Sequence, residues 1–556
     1  MFNCNLIYSQ LFRKTFKTLK VKICWFPLFI FNLYWGGLFF PLPGKEKPNF
    51  VMIVSESHAV SAFGAYKGYL SDVNPTPNLD RISQKSSLFT QAFCTNATSG
   101  PSSAVLLTGK HTHLNGFIQN GNKFNTSQDS LPQLLQNSGY QTALFGRWDL
   151  GTKPNHFDHW NILVDSTEKY NPEFLTAENQ KRIEGHSTDI ITDLALDWLY
   201  EKKNSKPFFL MIQFNATTSP WMPAIRHLNL FDDKLLPEPE NFIDDHAGKA
   251  SPSRYQSMDI NKDLDFSSDL FFQNDRSDEN RSAPIESSNS QKNLGVMTPE
   301  QESSWMLSWR PKNEAFLREP PSKENASQWK FQRFIKNYLR CVRGIDENIK
   351  RIETSLSENN SSDAFFIYTS NHGRLLGEHG WFGSRWIYDE SMQVPLIIST
   401  NLMIDSANSI SSLVQNMDIA QTILDYVGVQ GIKDMQGQTM KPLLDNEDSN
   451  NTWRNSLYYH YNEFPGNQMV AKHYGIRTSQ HKLIHFYQFD EWEFYDLQKD
   501  PSESENAYAS EAYRPQIEKM KELLLQDRKK YLDQSDISIM PEEWRKIYRG
   551  PEARKE

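Results

Sequence analysis

The chain has 556 residues, 38% hydrophobic and 23% charged, with a formal net charge of -9 at pH 7. That length suits one large domain and a smaller one. The surplus of acid excludes a general nucleic-acid binder, which needs an excess of Lys and Arg to neutralise phosphate, but leaves room for a local basic groove that holds an anionic sugar.

Arg13, Lys14, Lys17, Lys20 and Lys22 precede an apolar run over 23–43. A basic flank before an apolar core is the pattern of a signal peptide or signal anchor, here 1–44. Export or membrane anchoring is therefore expected. Pro27, Asn32 and Pro41 interrupt the run as a helix. The next element, 49–54, is a short apolar run expected to form a buried strand, as are 207–214 and 364–369. Between them, 130–139 and 188–202 are expected helices; the latter carries an apolar face of Ile190, Ile191, Leu194, Leu196, Trp198 and Leu199. The stretch 260–294 is polar and without period, as expected for a surface insertion or mobile loop. A helical pattern returns over 329–352, and another helix closes at 424–429. The segments 481–487 and 491–497 are expected to pair as strands across an acidic turn, followed by an amphipathic helix over 517–532. Alternating strands and helices argue a largely parallel sheet covered on both faces. The expected division is 45–425 for the main domain and 426–556 for a C-terminal subdomain.

The cysteines Cys4, Cys24, Cys94 and Cys341 fit no metal-ligand spacing and exclude a disulfide scaffold. Two separate thiols are expected at Cys94 and Cys341, with a bridge left open for an oxidising compartment.

One motif speaks for chemistry. Ser99-Gly100-Pro101-Ser102-Ser103 is followed by the apolar run 104–107 and by Thr108-Gly109-Lys110. This resembles the active-site signature of the sulfatase family: Cys or Ser, any residue, Pro, any residue, Arg, then an apolar run and Thr-Gly-Arg/Lys. Ser99 takes the nucleophile position and Ser103 the place of the Arg. The resemblance extends over 47–525. It includes Thr76-Pro77-Asn78-Leu79-Asp80-Arg81, Leu376-Gly377-Glu378-His379-Gly380-Trp381-Phe382 and Val394-Pro395-Leu396-Ile397-Ile398. Tyr338-Leu339-Arg340-Cys341-Val342, the stretch 472–478 and the stretch 491–501 look most like bacterial exo-acting sulfatases of sulfated sugars.

The resemblance implies an alkaline-phosphatase-like α/β sandwich. A large, mostly parallel mixed sheet would lie between helices, beside a smaller C-terminal antiparallel sheet packed with a helix. It implies a site at the C-terminal ends of central strands, where helix N-termini favour anions. It further implies a divalent cation, usually calcium, a formylglycine made from Cys or Ser at position 99, and a sulfated carbohydrate or glycosaminoglycan as partner.

The same resemblance assigns positions. Metal ligands would be Glu56, Ser57, Asn371 and His372. Only Glu56 keeps a carboxylate, so an empty polar pocket is expected, with a weak or altered metal site as the alternative. Catalytic positions would be Ser99, Lys110, His113 and Arg147. Substrate-binding positions would be Asn115, Asp149, Thr218, Ser384, Arg385 and His473. His379, Trp381 and Lys472 match positions near the pocket as well. Asp149 and Thr218 each stand where the family has a His, and Ser384 where it has a Lys beside Arg385. A missing general acid costs roughly 10²–10⁴-fold in rate, a missing charge-stabilising donor roughly 10²–10³-fold. The expectation is thus a sulfuric ester hydrolase of sulfated carbohydrate with impaired catalysis. The alternatives are a non-catalytic protein that binds sulfated glycan or a partner, and, more weakly, a phosphoester hydrolase with plain Ser99 as nucleophile.

Overall fold

The computed structural model describes residues 47–202, 206–272, 288–359, 361–402, 407–431, 434–446 and 453–548. The expected signal segment 1–44 lies outside them. Among the described residues no helix is long and apolar enough to cross a membrane.

The three expected apolar strands form the heart of the molecule. Phe50–Ser55, Phe208–Gln213 and Phe365–Ser370 are buried at every position. A strand covered on both faces needs apolar residues without alternation, and this is the sequence pattern of a parallel interior strand. Val51 pairs with Leu210 on one side and with Phe366 on the other. Among the described residues the sheet has ten strands. Their order is Asn408–Ile410, Ser87–Phe89, Leu396–Ser399, Phe365–Ser370, Phe50–Ser55, Phe208–Gln213, Gln141–Gly146, His159–Leu163, Glu173–Leu175 and Gln180–Arg182. The stretch from Phe365–Ser370 to His159–Leu163 is parallel throughout; Leu396–Ser399 reverses the direction. The helices Ser187–Glu201 and Ala326–Glu358 pack together, and Ser99–Thr108, Leu131–Asn137 and Met417–Val427 form a second group. The sheet is thus sandwiched between helices, as expected.

A second sheet is an antiparallel meander of Ser456–Tyr461, His473–Thr478, His481–Phe486 and Glu491–Asp496. The helix Arg514–Lys530 covers it with Ile517, Met520 and Leu524, against Tyr458, Tyr474, Ile476, Leu483 and Phe494. The expected boundary at 425 falls inside the helix Met417–Val427, and the chain from Lys47 on packs as one compact unit. Charge ties the small sheet to the main one: Arg477 and Lys482 hold Asp389 at 2.8 and 2.7 Å.

The segment 260–294 corrects an expectation. Its described parts, up to residue 272 and from 288, are packed rather than loose. Ile260, Leu264, Leu270 and Phe271 are buried, and Asn293, in the helix Asn289–Gly295, accepts from the Tyr170 backbone at 3.1 Å. Residues 273–287 lie outside the description. Cys94 and Cys341 are two separate buried thiols, without a bridge.

Several histidines sit inside this fold as neutral rings. Burial pulls His58, His186 and His379 each down to about 4. Between that value and about 6.5 each takes a proton in the unfolded chain and none in the folded one, so stability falls as pH falls. The slope is up to about 1.4 kcal/mol per pH unit for each ring. The ring proton NMR signals of these three histidines should therefore stay unchanged between pH 7 and pH 5 in the folded protein; titration shifts in that window would contradict this reading.

Candidate active site

Four parallel strands end at one place. Phe50–Ser55 delivers Glu56 and Ser57, Phe365–Ser370 delivers Asn371 and His372, Gln141–Gly146 delivers Arg147 and Asp149, and Phe208–Gln213 leads into 215–218. The helix Ser99–Thr108 begins there with Ser99 as its first residue. Backbone geometry enforces the convergence. Gly146 has φ +107°, and a Cβ on it would lie 2.1 Å from the Gln213 carbonyl oxygen; only glycine lets these two strands leave the sheet so close together. Ser57 is left-handed at φ +56°, and its carbonyl accepts from Tyr338 Oη at 2.7 Å and Thr217 Oγ1 at 3.1 Å.

Glu56 is fully buried at the centre. Its Oε1 accepts a short hydrogen bond from Ser99 Oγ and lies 3.2 Å from His372 Nε2. Its Oε2 accepts from Asn371 Nδ2 at 2.6 Å and lies 3.3 Å from Arg147 Nη1. Burial raises this carboxyl, but the Arg147 charge and the hydrogen bonds from His372 and Ser99 outweigh it and hold the group well below the usual carboxylate range. Arg147 also pairs through Nε with Asp149, so one guanidinium bridges two carboxylates. His372 donates from Nδ1 to the Gly373 carbonyl at 2.7 Å; a proton on Nε2 turns its contact with Glu56 into a second ion pair. A polar relay backs the carboxylate. Gln213 Nε2 donates to Ser103 Oγ at 2.9 Å, and Ser103 Oγ donates to Asn371 Oδ1 at 3.3 Å.

On the flank, buried Lys169 donates to the Asn215 carbonyl at 2.6 Å, to Thr218 Oγ1 at 3.0 Å and to the Ser166 carbonyl at 3.3 Å. Burial and the neighbouring Arg147 pull its ammonium down to about 7. Across the site, Arg374 donates to the Phe382 carbonyl at 2.7 Å, and Arg385 donates to Gln468 Oε1 at 2.7 Å.

Comparison with known proteins fits this arrangement. A profile described as Sulfatase matches residues 48–429, and one described as N-sulphoglucosamine sulphohydrolase, C-terminal, matches 377–530. The chain belongs to the sulfatase family. An N-acetylglucosamine-6-O-sulfatase of Bacteroides thetaiotaomicron is 38% identical over 506 residues, covering 88% of each chain. An arylsulfatase of Clostridium perfringens is 24% identical over 527 residues, covering 86% of this chain and 94% of that one. A structure solved with its substrate D-glucosamine-2-N,6-O-disulfate aligns with TM-score 0.83 at 36% identity, over 88% of this chain and 99% of that one. The fold is therefore the alkaline-phosphatase-like sandwich that the motifs imply.

The family's calcium does not fit the residues present in this sulfatase-family chain. A hard divalent ion needs about six to eight oxygens with several negative charges among them. Here Glu56 is the carboxylate at that position, and both its oxygens already face protein donors. Asn371 turns its amide nitrogen, not its oxygen, toward Glu56, and its oxygen accepts from Ser103. Ser57 Oγ faces His372 Nε2 at 3.4 Å. Among the described residues no three His, Cys, Asp or Glu side chains are grouped to hold a metal.

The expected residues divide into three groups. Glu56, Ser57, Ser99, Arg147, Asp149, Asn371 and His372 meet in one cluster, with Thr218 bonded to Lys169 at its edge. Ser384 and Arg385 meet at Gln468, outside the cluster, and His473 packs apart from both. Ser384 N donates to Gln468 Oε1 at 3.4 Å, while His473 is buried between Trp386 and Tyr459 and pulled down by burial to about 3. Lys110, His113 and Asn115 stand apart from the cluster, which corrects their expected roles. They follow the far end of the helix Ser99–Thr108, about 15 Å along its axis from Ser99. His113 Nε2 lies 2.8 Å from the Tyr531 carbonyl, and Asn115 Nδ2 donates to the Lys110 carbonyl at 3.1 Å. His379 and Trp381 belong to a packed aromatic group, His379 bonded to Asp244 at 2.7 Å. Lys169, Gln213 and Arg374 were not foreseen. For Arg374 a signal existed: a charge inside the otherwise apolar stretch 373–376. For Lys169 and Gln213 there was none.

Two outcomes follow. Arg147→Met leaves buried Glu56 and partly exposed Asp149 without their cation and should lower stability by about 3–5 kcal/mol in urea unfolding; a loss under 1 kcal/mol would mean that the bridge is not the main neutralising contact. Calcium added to chelator-treated protein should leave the melting temperature unchanged, whereas a rise of several degrees would reveal a metal-bound state that these side chains rearrange to make.

Proposed function

We propose that this protein binds a sulfated carbohydrate of glycosaminoglycan type, recognising a 6-O-sulfated glucosamine unit, and that it does so without the metal-dependent ester hydrolysis of its family. The sugar assignment draws on the relative named as an N-acetylglucosamine-6-O-sulfatase and on the neighbour solved with D-glucosamine-2-N,6-O-disulfate. Export or anchoring through residues 1–44 belongs to the same proposal, because such glycans are met outside the cytoplasm.

The loss of hydrolysis rests on one observation: the Glu56 carboxylate is paired with Arg147, hydrogen-bonded by Asn371 and Ser99 and faced by His372 rather than left open to a cation. The leaving-group side agrees. Asp149 is bonded to Arg147, and Thr218 receives a hydrogen bond from Lys169. Neither is arranged to hand a proton to a departing sugar alcohol.

A second reading has one observation in its favour. Ser99 Oγ donates to a carboxylate, the arrangement in which a base draws off the proton as the oxygen attacks. A carboxyl held so far below its usual range is, however, a weak base.

The test pairs a sulfate-release assay on N-acetylglucosamine-6-sulfate, with calcium and with chelator, with the mass of the Ser99 peptide. We expect no sulfate above the heat-denatured control and an unmodified serine. Released sulfate, a peptide about 2 Da lighter (formylglycine) or one about 80 Da heavier (sulfoserine) would overturn the non-hydrolytic reading.

A further inference from the structure

Among the described residues four arginines are buried: Arg147, Arg340, Arg374 and Arg477. Three sit on a carboxylate: Arg147 on Glu56 and Asp149, Arg340 on Asp232, and Arg477 on Asp389. Arg374 is the exception. It is 8% exposed and makes no ion pair among the described residues. Its Nη1 donates to the Phe382 carbonyl, its guanidinium lies 5.5 Å from the Trp221 ring centroid, and its Nε has no hydrogen-bond partner.

A buried guanidinium without a direct ion pair is costly; Glu56 and Asp269 act on Arg374 only at longer range, and an anion supplied from outside lowers the cost. Arg374 is not alone. The Leu375 amide donates to the Gly383 carbonyl at 2.9 Å, which folds the 374–383 loop so that Arg374 meets the 383–385 segment. There Arg385, left-handed at φ +86°, is partly buried beside Tyr461, likewise makes no ion pair among the described residues, and likewise has an unpartnered Nε. Arg374 lies within electrostatic range of both Arg385 and Glu56, so it links the second guanidinium to the edge of the Glu56 cluster.

We propose that Arg374 and Arg385 form the seat for the sulfate ester, in place of a seat on the Glu56 side, where Arg147 and His372 are already engaged. The ligand class is a tetrahedral oxyanion carried on a sugar. Planar guanidinium forks match its oxygens, and on both arginines the Nε is left without a partner while one Nη1 holds the side chain in place. Ser384, where the family has a Lys, thus stands next to a rebuilt seat rather than an abandoned one. This inference rests on the sulfated-sugar reading above and makes that binding independent of metal.

Isothermal titration in chelator tests it, with N-acetylglucosamine-6-sulfate, N-acetylglucosamine and inorganic sulfate as probes. The wild type should bind the sulfated sugar more tightly than the unsulfated one. Arg374→Met and Arg385→Met should each weaken the sulfated sugar about tenfold or more, with little effect on the unsulfated sugar, and Arg374→Lys should retain part of the affinity. Melting curves check folding; if Arg374→Met does not fold, Arg374→Lys and Arg385→Met carry the test. Sulfated-sugar binding that is the same in the wild type and both Met variants overturns the seat and leaves the sugar reading standing. No wild-type binding of the sulfated sugar overturns the sugar reading; Arg374-dependent binding of inorganic sulfate in that case keeps the seat as an anion site. Absence of both ends both.

Discussion

The site is organised around one buried negative charge. Glu56 sits at the end of the central strand with no contact to water, and an isolated carboxylate in that position would protonate or unfold its surroundings. Everything nearby is arranged to keep it ionised. Arg147 is central because a planar guanidinium reaches Glu56 through one nitrogen and Asp149 through another. A lysine is a point charge and could not bridge both acids in fixed geometry. The sheet makes this possible: the strand ends bearing Glu56, Asn371, Arg147 and Asn215 are neighbours in one parallel stretch, so their loops open at the same edge.

Seen from that charge, the unusual residues of the motif region form a linked set. Ser103 is small enough to pass a hydrogen bond from Gln213 to Asn371, which in turn donates to Glu56. Asp149 has a partner because Arg147 is a fork. His372 is fixed by the Gly373 carbonyl and presents its other nitrogen to Glu56. Restoring the family's Arg at 103 alone would put a second guanidinium against Asn371 and displace the relay. The substitutions compensate one another's charge and hydrogen bonding, so they act as one altered electrostatic unit rather than as separate defects.

The fold was legible because its interior strands are apolar without alternation, a pattern that parallel burial requires and that 49–54, 207–214 and 364–369 all display. Much of the Glu56 cluster was legible because Glu56, Ser57, Asn371 and His372 directly follow such strands and Ser99 opens the Ser99–Thr108 helix, whereas Arg147 and Asp149 follow Gln141–Gly146 and were marked only by their resemblance to the family motif. What escaped had physical reasons. Lys110, His113 and Asn115 lie close to Ser99 in sequence, but a rigid helix carries them to its opposite end. The buried residues Ile260, Leu264, Leu270 and Phe271 are diluted by Ser, Asp and Asn, so composition hid them. Lys169 sits in an irregular connection, where neither period nor spacing points to a buried ammonium.

Two kinds of arginine divide the pocket. Arg147 is engaged by acids of the chain itself and holds the architecture. Arg374 and Arg385 make no ion pair among the described residues, and Arg374 lies within electrostatic range of Glu56 from the 374–383 loop. Lys169 is engaged too: its three protons go to two carbonyls and Thr218, which fastens the 166–169 connection to the strand end at 215–218. The positive charge without an acid partner is therefore on the 374–385 side, while the Glu56 side is occupied by its own partners. The proposed anion seat and the Glu56 cluster rest on different side chains, so the charge balance of one can change without dismantling the other.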